Sequence, residues 1–266
     1  MNHLLSAAHL TALDLAPPAF VEAAAAAGFD AVGLRLIAVT PTTPGYPLMD
    51  DPVQLRATQA ALRATGLSVH DIEFVKITAD LDPASLEPML DTGAALGARQ
   101  VIAAPYDDDL PRLAATLADL AERAARRGIG TVLEFFPWTV VPDLAAAIRV
   151  TEGTGAGLLA DALHMDRSGS RWDDLRALPP ARLPFAHLCD APVHPPYSTD
   201  DLLQAARAER LAPGEGQIDL QAFLAALPPG VPLGLEVPMA ARAQAAGSAA
   251  VLAHVRATTA AFLARG

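Results

Sequence analysis

The chain has 266 residues, 52% of them hydrophobic and 18% charged, and carries a net charge of −11. That length supports one large core, and α/β barrels commonly reach it as a single domain. The acidic balance, without any basic run to displace counterions from phosphates, excludes nucleic acid and anionic membrane surfaces as partners, and a single cysteine, Cys189, excludes an internal disulfide or a thiolate zinc cluster.

No apolar run approaches the roughly 20 residues that cross a bilayer. The opening "MNHLLSAAHL" lacks a basic region followed by a long apolar one, so no signal peptide is expected and the location read from it is cytoplasmic.

Eight apolar runs of strand character follow one another: 4–10, 31–37, 67–75, 99–105, 130–136, 157–161, 184–190 and 232–237. Between them lie Ala/Leu-rich helical patterns at about 17–27, 51–65, 84–97, 109–127, 141–153, 171–178, 200–208 with 219–227, and 240–264. Several open on Pro, Asp or Ser, which suit caps and first turns; others run into Gly28, Gly66, Gly97 and Gly128, which suit C-terminal ends. Near-continuous apolar strands alternating with helices imply a parallel sheet covered on both faces. Eight such units favour closure into a single (β/α)8 TIM barrel over residues 1–266, with no linker to mark a second domain. Neither a dinucleotide fingerprint nor a phosphate loop is present; "GTGAG" at 153–157 precedes a strand and reads as a tight turn.

Catalytic groups of such barrels stand at the C-terminal ends of the strands. There the fifth run offers Glu134, the sixth Asp161, the seventh His187 and the eighth Glu236. Burying a lone charge in an apolar run is costly, so four on consecutive strands ask for a cation. Three carboxylates and an imidazole form an oxygen-rich set that suits Mn²⁺ foremost, with Mg²⁺, Co²⁺ or Zn²⁺ as alternatives. Each residue could instead be an ordinary strand-end group.

Around this set stand further candidates. His164, three residues past Asp161 in the following loop, reaches toward a substrate oxygen or is a surface histidine. Asp190 fixes the imidazole of His187 or caps the next turn. Arg35 and Glu73 anchor substrate or form an ion pair inside the barrel. His70 stands with Arg35 and Glu73 among the additions from the earlier strands, His9 at the end of the first is weaker still, and His3, His194 and His254 carry no signal. "EFFPW" at 134–138 sets Phe and Trp138 beside the proposed metal, as a wall shielding substrate from water or as simple packing.

"VLEF", "LLADALH", "HLCDA", "PGEGQIDL" and "LGLEVP", in this order, resemble the xylose isomerase-like TIM-barrel superfamily, most strongly from residue 130 onward. The resemblance implies metal ligation by Glu134, Asp161, His187 and Glu236, proton transfer by the two glutamates, substrate contact by His164, and Glu215 of the "GEG" loop helping to line the mouth. It implies an isomerase or epimerase acting on a sugar or related polyhydroxy carbonyl compound through an enediolate, or alternatively a dehydratase of the inosose or 3-dehydroshikimate type. One departure counts against a ketose 3-epimerase: where those enzymes carry an arginine six residues after the strand-seven histidine, this chain has Val193. Only Arg242 stands near the last strand end, so an unphosphorylated small-molecule substrate is expected. The Ala-rich helical exterior is compatible with a homo-oligomer.

Overall fold

Each apolar run holds a strand, and every strand pairs in parallel with the next. The computed structural model describes residues 3–40 and 43–265. Its strands are β1 (Leu5–Ala7), β2 (Ala31–Arg35), β3 (Ser68–Ile77), β4 (Gln100–Pro105), β5 (Gly130–Glu134), β6 (Gly157–Asp161), β7 (Ala186–His187) and β8 (Leu233–Leu235). β1 also pairs with β8, setting Leu5 opposite Leu233, so the sheet closes into a single (β/α)8 barrel.

The connecting helices are α1 (Pro17–Ala27), α2 (Pro52–Thr65), α3 (Glu87–Ala95), α4 (Leu110–Ala125), α5 (Leu144–Thr151), α6 (Ala162–Arg167), α7 (Trp172–Arg176), α8 (Thr199–Ala208), α9 (Leu220–Ala226), α10 (Ala240–Ala246) and α11 (Ser248–Leu263). Asp51, Asp109, Asp143 and Asp219 each cap a helix by accepting backbone N–H groups that have no partner within the first turn. The expected last helix is interrupted. Gly247 takes φ of 83°, a conformation open to glycine and costly for other residues, and divides the segment into α10 and α11.

Two apolar layers result. The larger lies between sheet and helices and includes Phe20, Leu34, Ile77, Leu90 and Leu120, all buried. The smaller fills the barrel interior with Ile102, Ala104, Val132, Leu159 and Phe185, joined near the top by Phe74 and Phe136. Phe185 sits edge-on to both His70 and His187, at 4.7 and 5.6 Å between ring centroids, and so backs the imidazole of β7 with hydrocarbon.

Two segments differ from expectation where they matter. Of the run 184–190 only Ala186–His187 is laddered; beyond it the chain turns outward, and Asp190 pairs with Leu211 in an isolated antiparallel bridge. Directly after β6, where a loop was expected, Asp161 accepts the N–H of His164 at 3.1 Å and starts α6. His164 is therefore a buried helical residue and not a surface histidine.

Candidate metal centre and substrate cavity

The barrel register brings the four strand-end residues together. Glu134, Asp161 and His187 are the last residues of β5, β6 and β7, and Glu236 follows β8 directly. All four are buried, and one donor atom from each lies within 4.8 Å of the others. His187 Nδ1 stands 3.8 Å from Glu134 Oε1, 3.8 Å from Asp161 Oδ2 and 3.9 Å from Glu236 Oε2. Neighbouring donors on one cation are separated by roughly 3–4 Å when bonds are about 2.1 Å long.

The hydrogen-bond inventory agrees with such a cage. Glu134 Oε1 and both ring nitrogens of His187 are buried without a hydrogen-bond partner, although groups of this kind are normally satisfied. A hard divalent cation fits this donor set and would satisfy Glu134 Oε1 and one His187 nitrogen.

The ring of His187 is held at its edge by the backbone of β8. A Cβ built on Gly234 would meet His187 Cδ2 at 2.6 Å and Nε2 at 3.0 Å. Glycine at this register position is thus what lets the imidazole face the carboxylates.

Sequence reasoning missed one member of the centre. Arg210, buried, emerges after α8 and donates from Nη1 to Asp161 Oδ2 at 2.6 Å and from Nη2 to Glu236 Oε2 at 2.7 Å. Nη1 also reaches the Glu236 carbonyl at 3.2 Å and Cys189 Sγ at 3.3 Å, and Nε donates to the Ala206 carbonyl. Three carboxylates and one guanidinium leave two negative charges, which a divalent cation beside a neutral histidine would balance. The signal in the sequence was slight, an arginine at a helix end just before "LAPGEG".

Electrostatics separate the carboxylates. Burial and the neighbouring Glu236 and Asp161 raise Glu134 to about 7, against the pull of His187. Burial opposes ionisation of Asp161 too, but the charge and hydrogen bond of Arg210, together with His164 and His187, outweigh it and lower the carboxyl to about 2. For His187 the carboxylates overcome burial and raise the imidazole to about 10, whereas burial drives His164 down to about 3 and leaves it neutral. The Cys189 thiol is pushed up by burial and Asp161, so it is a small buried neighbour and no nucleophile.

A cavity of about 460 Å³ opens above the cluster and is lined by Glu134, Glu236, Arg210, His164, Arg35 and Trp138 among others. His164 Nε2 lies 3.7 Å from Glu134 Oε1, and its ring stands edge-on to Phe136 and Trp138 at 4.8 and 5.3 Å. The structure realises the ion-pair alternative for Arg35 and Glu73: Nη2 and Oε2 are 3.2 Å apart inside the barrel, and Arg35 still borders the cavity. Burial holds Glu73 up at about 7 despite this arginine.

Other candidates fall elsewhere. Glu215 is absent from the cavity lining and pairs instead with His254 of α11 at 2.9 Å. Asp190 neither fixes His187 nor caps a helix; its carboxylate accepts the N–H groups of Ala191, Gly214, Gly216 and Ile218 and so folds the loop that follows Arg210. His9 bridges the N–H of Arg35 and the carbonyl of Leu15, a structural role.

Residues 21–257 match the model of a family described as the xylose isomerase-like TIM barrel. The chain belongs to this family. It is 28% identical over 153 residues to an inosose isomerase of Bacillus velezensis, a match that spans 52% of each chain and hence about half the relative's length. Among solved structures, the family member superposes with a TM-score of 0.81 and 18% identity on the IOLI protein with a bound zinc atom, over 98% of both chains. It also superposes with a TM-score of 0.74 and 13% identity on a probable 3-DHS dehydratase, AsbF, from Bacillus anthracis, over 98% of this chain and 99% of that one. At these identities the structures establish the shared fold.

Proposed function

We propose that this barrel is a divalent-metal-dependent isomerase or epimerase of a sugar or related polyhydroxy carbonyl compound. The observation that carries the reading is Glu134 Oε1, a buried carboxylate oxygen without a hydrogen-bond partner that faces both His187 and the cavity. A cation bound by Glu134, Asp161, His187 and Glu236, Mn²⁺ foremost, supplies polarisation of a substrate carbonyl.

Glu134 takes the proton from the carbon beside that carbonyl, and the C–H electron pair moves toward the carbonyl oxygen. His164, neutral at physiological pH, hydrogen-bonds a substrate hydroxyl, and Arg35 orients a second oxygen. Return of the proton to the neighbouring carbon, with the α-hydroxyl proton passing to the former carbonyl oxygen, gives isomerisation. Delivery of a different proton to the opposite face of the same carbon gives epimerisation: Glu236 enters the step protonated and leaves it as the carboxylate held by Arg210, while Glu134 leaves it protonated. Trp138 and Phe136 shield these groups from water.

A second reading rests on Arg210. Its grip on both the carboxylate and the carbonyl of Glu236 leaves Glu134 as the freer base. One base suffices for dehydration: Glu134 removes the α-proton and returns it to a departing β-hydroxyl, so water leaves and a carbon–carbon double bond forms.

Proton NMR in D₂O separates these outcomes. Metal-loaded protein is incubated with ketoses, inososes and 3-dehydroshikimate, and the metal is stripped before acquisition. Deuterium entering a C–H beside the carbonyl, absent with Glu134→Gln, is the result expected. A vinyl signal selects the dehydratase, and no exchange or elimination with any compound overturns the enolising assignment.

A further inference from the structure

Polar groups around the cavity are divided between its floor and its walls. At the floor, Glu134 Oε1, both nitrogens of His164 and Arg35 Nε are buried without hydrogen-bond partners. Along the walls several polar groups are engaged with one another, while Arg207 and Asp14 stand at the exposed part of the lining. Thr40 donates to Thr43 Oγ1 at 3.0 Å, Ser248 donates to Asp14, and the indole N–H of Trp138 donates to the Tyr106 hydroxyl at 3.3 Å.

Most of the remaining wall is apolar. Phe136 is the hub of an aromatic surface, with ring centroids 5.0 Å from Trp138, 5.8 Å from Phe74 and 6.3 Å from Tyr106. This surface reaches the floor, because Phe136 and Trp138 both touch His164. Leu10, Leu13 and Met239 extend the cavity lining with half-buried aliphatic groups. Ligand cavities of ~300–1,000 Å³ enclose drug-sized molecules and combine apolar walls with a few convergent polar groups. Hydroxyls placed against the aromatic part of these walls would lose hydration without replacement hydrogen bonds, so that part favours an apolar portion of the substrate, with the hydroxyls of its carbonyl end kept on the floor.

We propose that the substrate is amphipathic, with an α-hydroxycarbonyl head on the polar floor and an apolar ring seated against Phe74, Tyr106, Phe136 and Trp138. The inference rests on the reading of the floor as a metal-dependent proton-transfer site.

The test is a pair of ligands with the same head: dihydroxyacetone and its mono-phenyl ether, titrated calorimetrically into Mg²⁺-loaded protein. The ether is expected to bind at least tenfold more tightly, with a more negative heat-capacity change. That gain should vanish in Trp138→Ser. The chain has two tryptophans, so in Trp172→Phe the ether should also quench the fluorescence of Trp138. Equal binding of the two ligands, or a gain that survives Trp138→Ser, overturns the apolar subsite.

Chelation separates this idea from the functional reading. If the ether binds more tightly but removal of metal weakens neither ligand, the subsite stands and the metal-dependent floor falls. If metal removal weakens both ligands and they bind alike, the floor stands and the subsite falls. Binding of neither ligand overturns both.

Discussion

Arg210 Nη1 donates to Asp161 Oδ2 at 2.6 Å, and Asp161 Oδ2 is the oxygen that faces His187. The same guanidinium holds Glu236 Oε2. A divalent cation bound here would neutralise the same two carboxylates as Arg210, so each would partly substitute for the other. Removing one partner of a buried ion pair commonly costs about 3–5 kcal/mol, because the other charge is left uncompensated. Arg210→Met should therefore destabilise the metal-free protein by about that amount and the metal-loaded protein by clearly less. Thermal unfolding with and without chelator checks this. A fall in Tm on chelation no larger than that of the parent protein would show that the two cations act independently.

Gly234 offers a test of geometry with all four ligands retained. Its backbone is not in the left-handed region, so alanine is conformationally acceptable there, and the conflict is with the His187 ring. Gly234→Ala should turn that ring away and weaken metal binding by roughly 10–100-fold, the scale seen when groups orienting a ligand are removed. Calorimetric metal titration measures the loss, and circular dichroism should show the fold retained. Unchanged affinity would remove His187 from the centre.

How much of this was legible in the sequence depends on how local each feature is. The eight strands were readable because parallel strands buried on both faces are apolar throughout. Glu134, Asp161, His187 and Glu236 stood out because each interrupts or ends such a run. Arg210 did not, because an arginine at a helix end is ordinary until the fold carries it to the C-terminal ends of β6 and β8. The placement of His164 is not legible for a related reason: an Asp that ends an apolar run looks like a ligand, while its second role here, capping α6, depends on the turn that follows. Glu215 failed because a loop's position in sequence does not say which side of it faces the cavity.

Asp190 shows what such a loop requires. Its two oxygens accept four backbone N–H groups from residues 191, 214, 216 and 218, and a Cβ on Gly216 would collide with the carboxylate. Leaving buried donors unpaired costs about 1–3 kcal/mol each. Asp190→Ala should lower stability by roughly 3 kcal/mol or more and open the loop to proteolysis near Gly214. Asp190→Asn keeps one acceptor oxygen and should lose less. Denaturant unfolding and limited proteolysis read both effects, and an Asp190→Ala protein as stable as its parent would mean that water replaces the carboxylate.

His9 governs part of the acid limb. Burial lowers its imidazole to about 4, against the hydrogen bond to Leu15, and in the neutral ring Nδ1 accepts the N–H of Arg35 at 3.0 Å. In the unfolded chain the imidazole titrates near 6.5. Between these values the unfolded state binds the extra proton, so the contribution is complete above about pH 6.5 and is lost as pH falls toward 4. A displacement of this size corresponds to about 3 kcal/mol. His9→Gln should be less stable than the parent at pH 7, and the gap should narrow as pH falls toward 4. Urea midpoints of the metal-free proteins at pH 7 and pH 4.5 give the comparison. A gap that stays constant would mean that His9 keeps a similar affinity for the proton in both states.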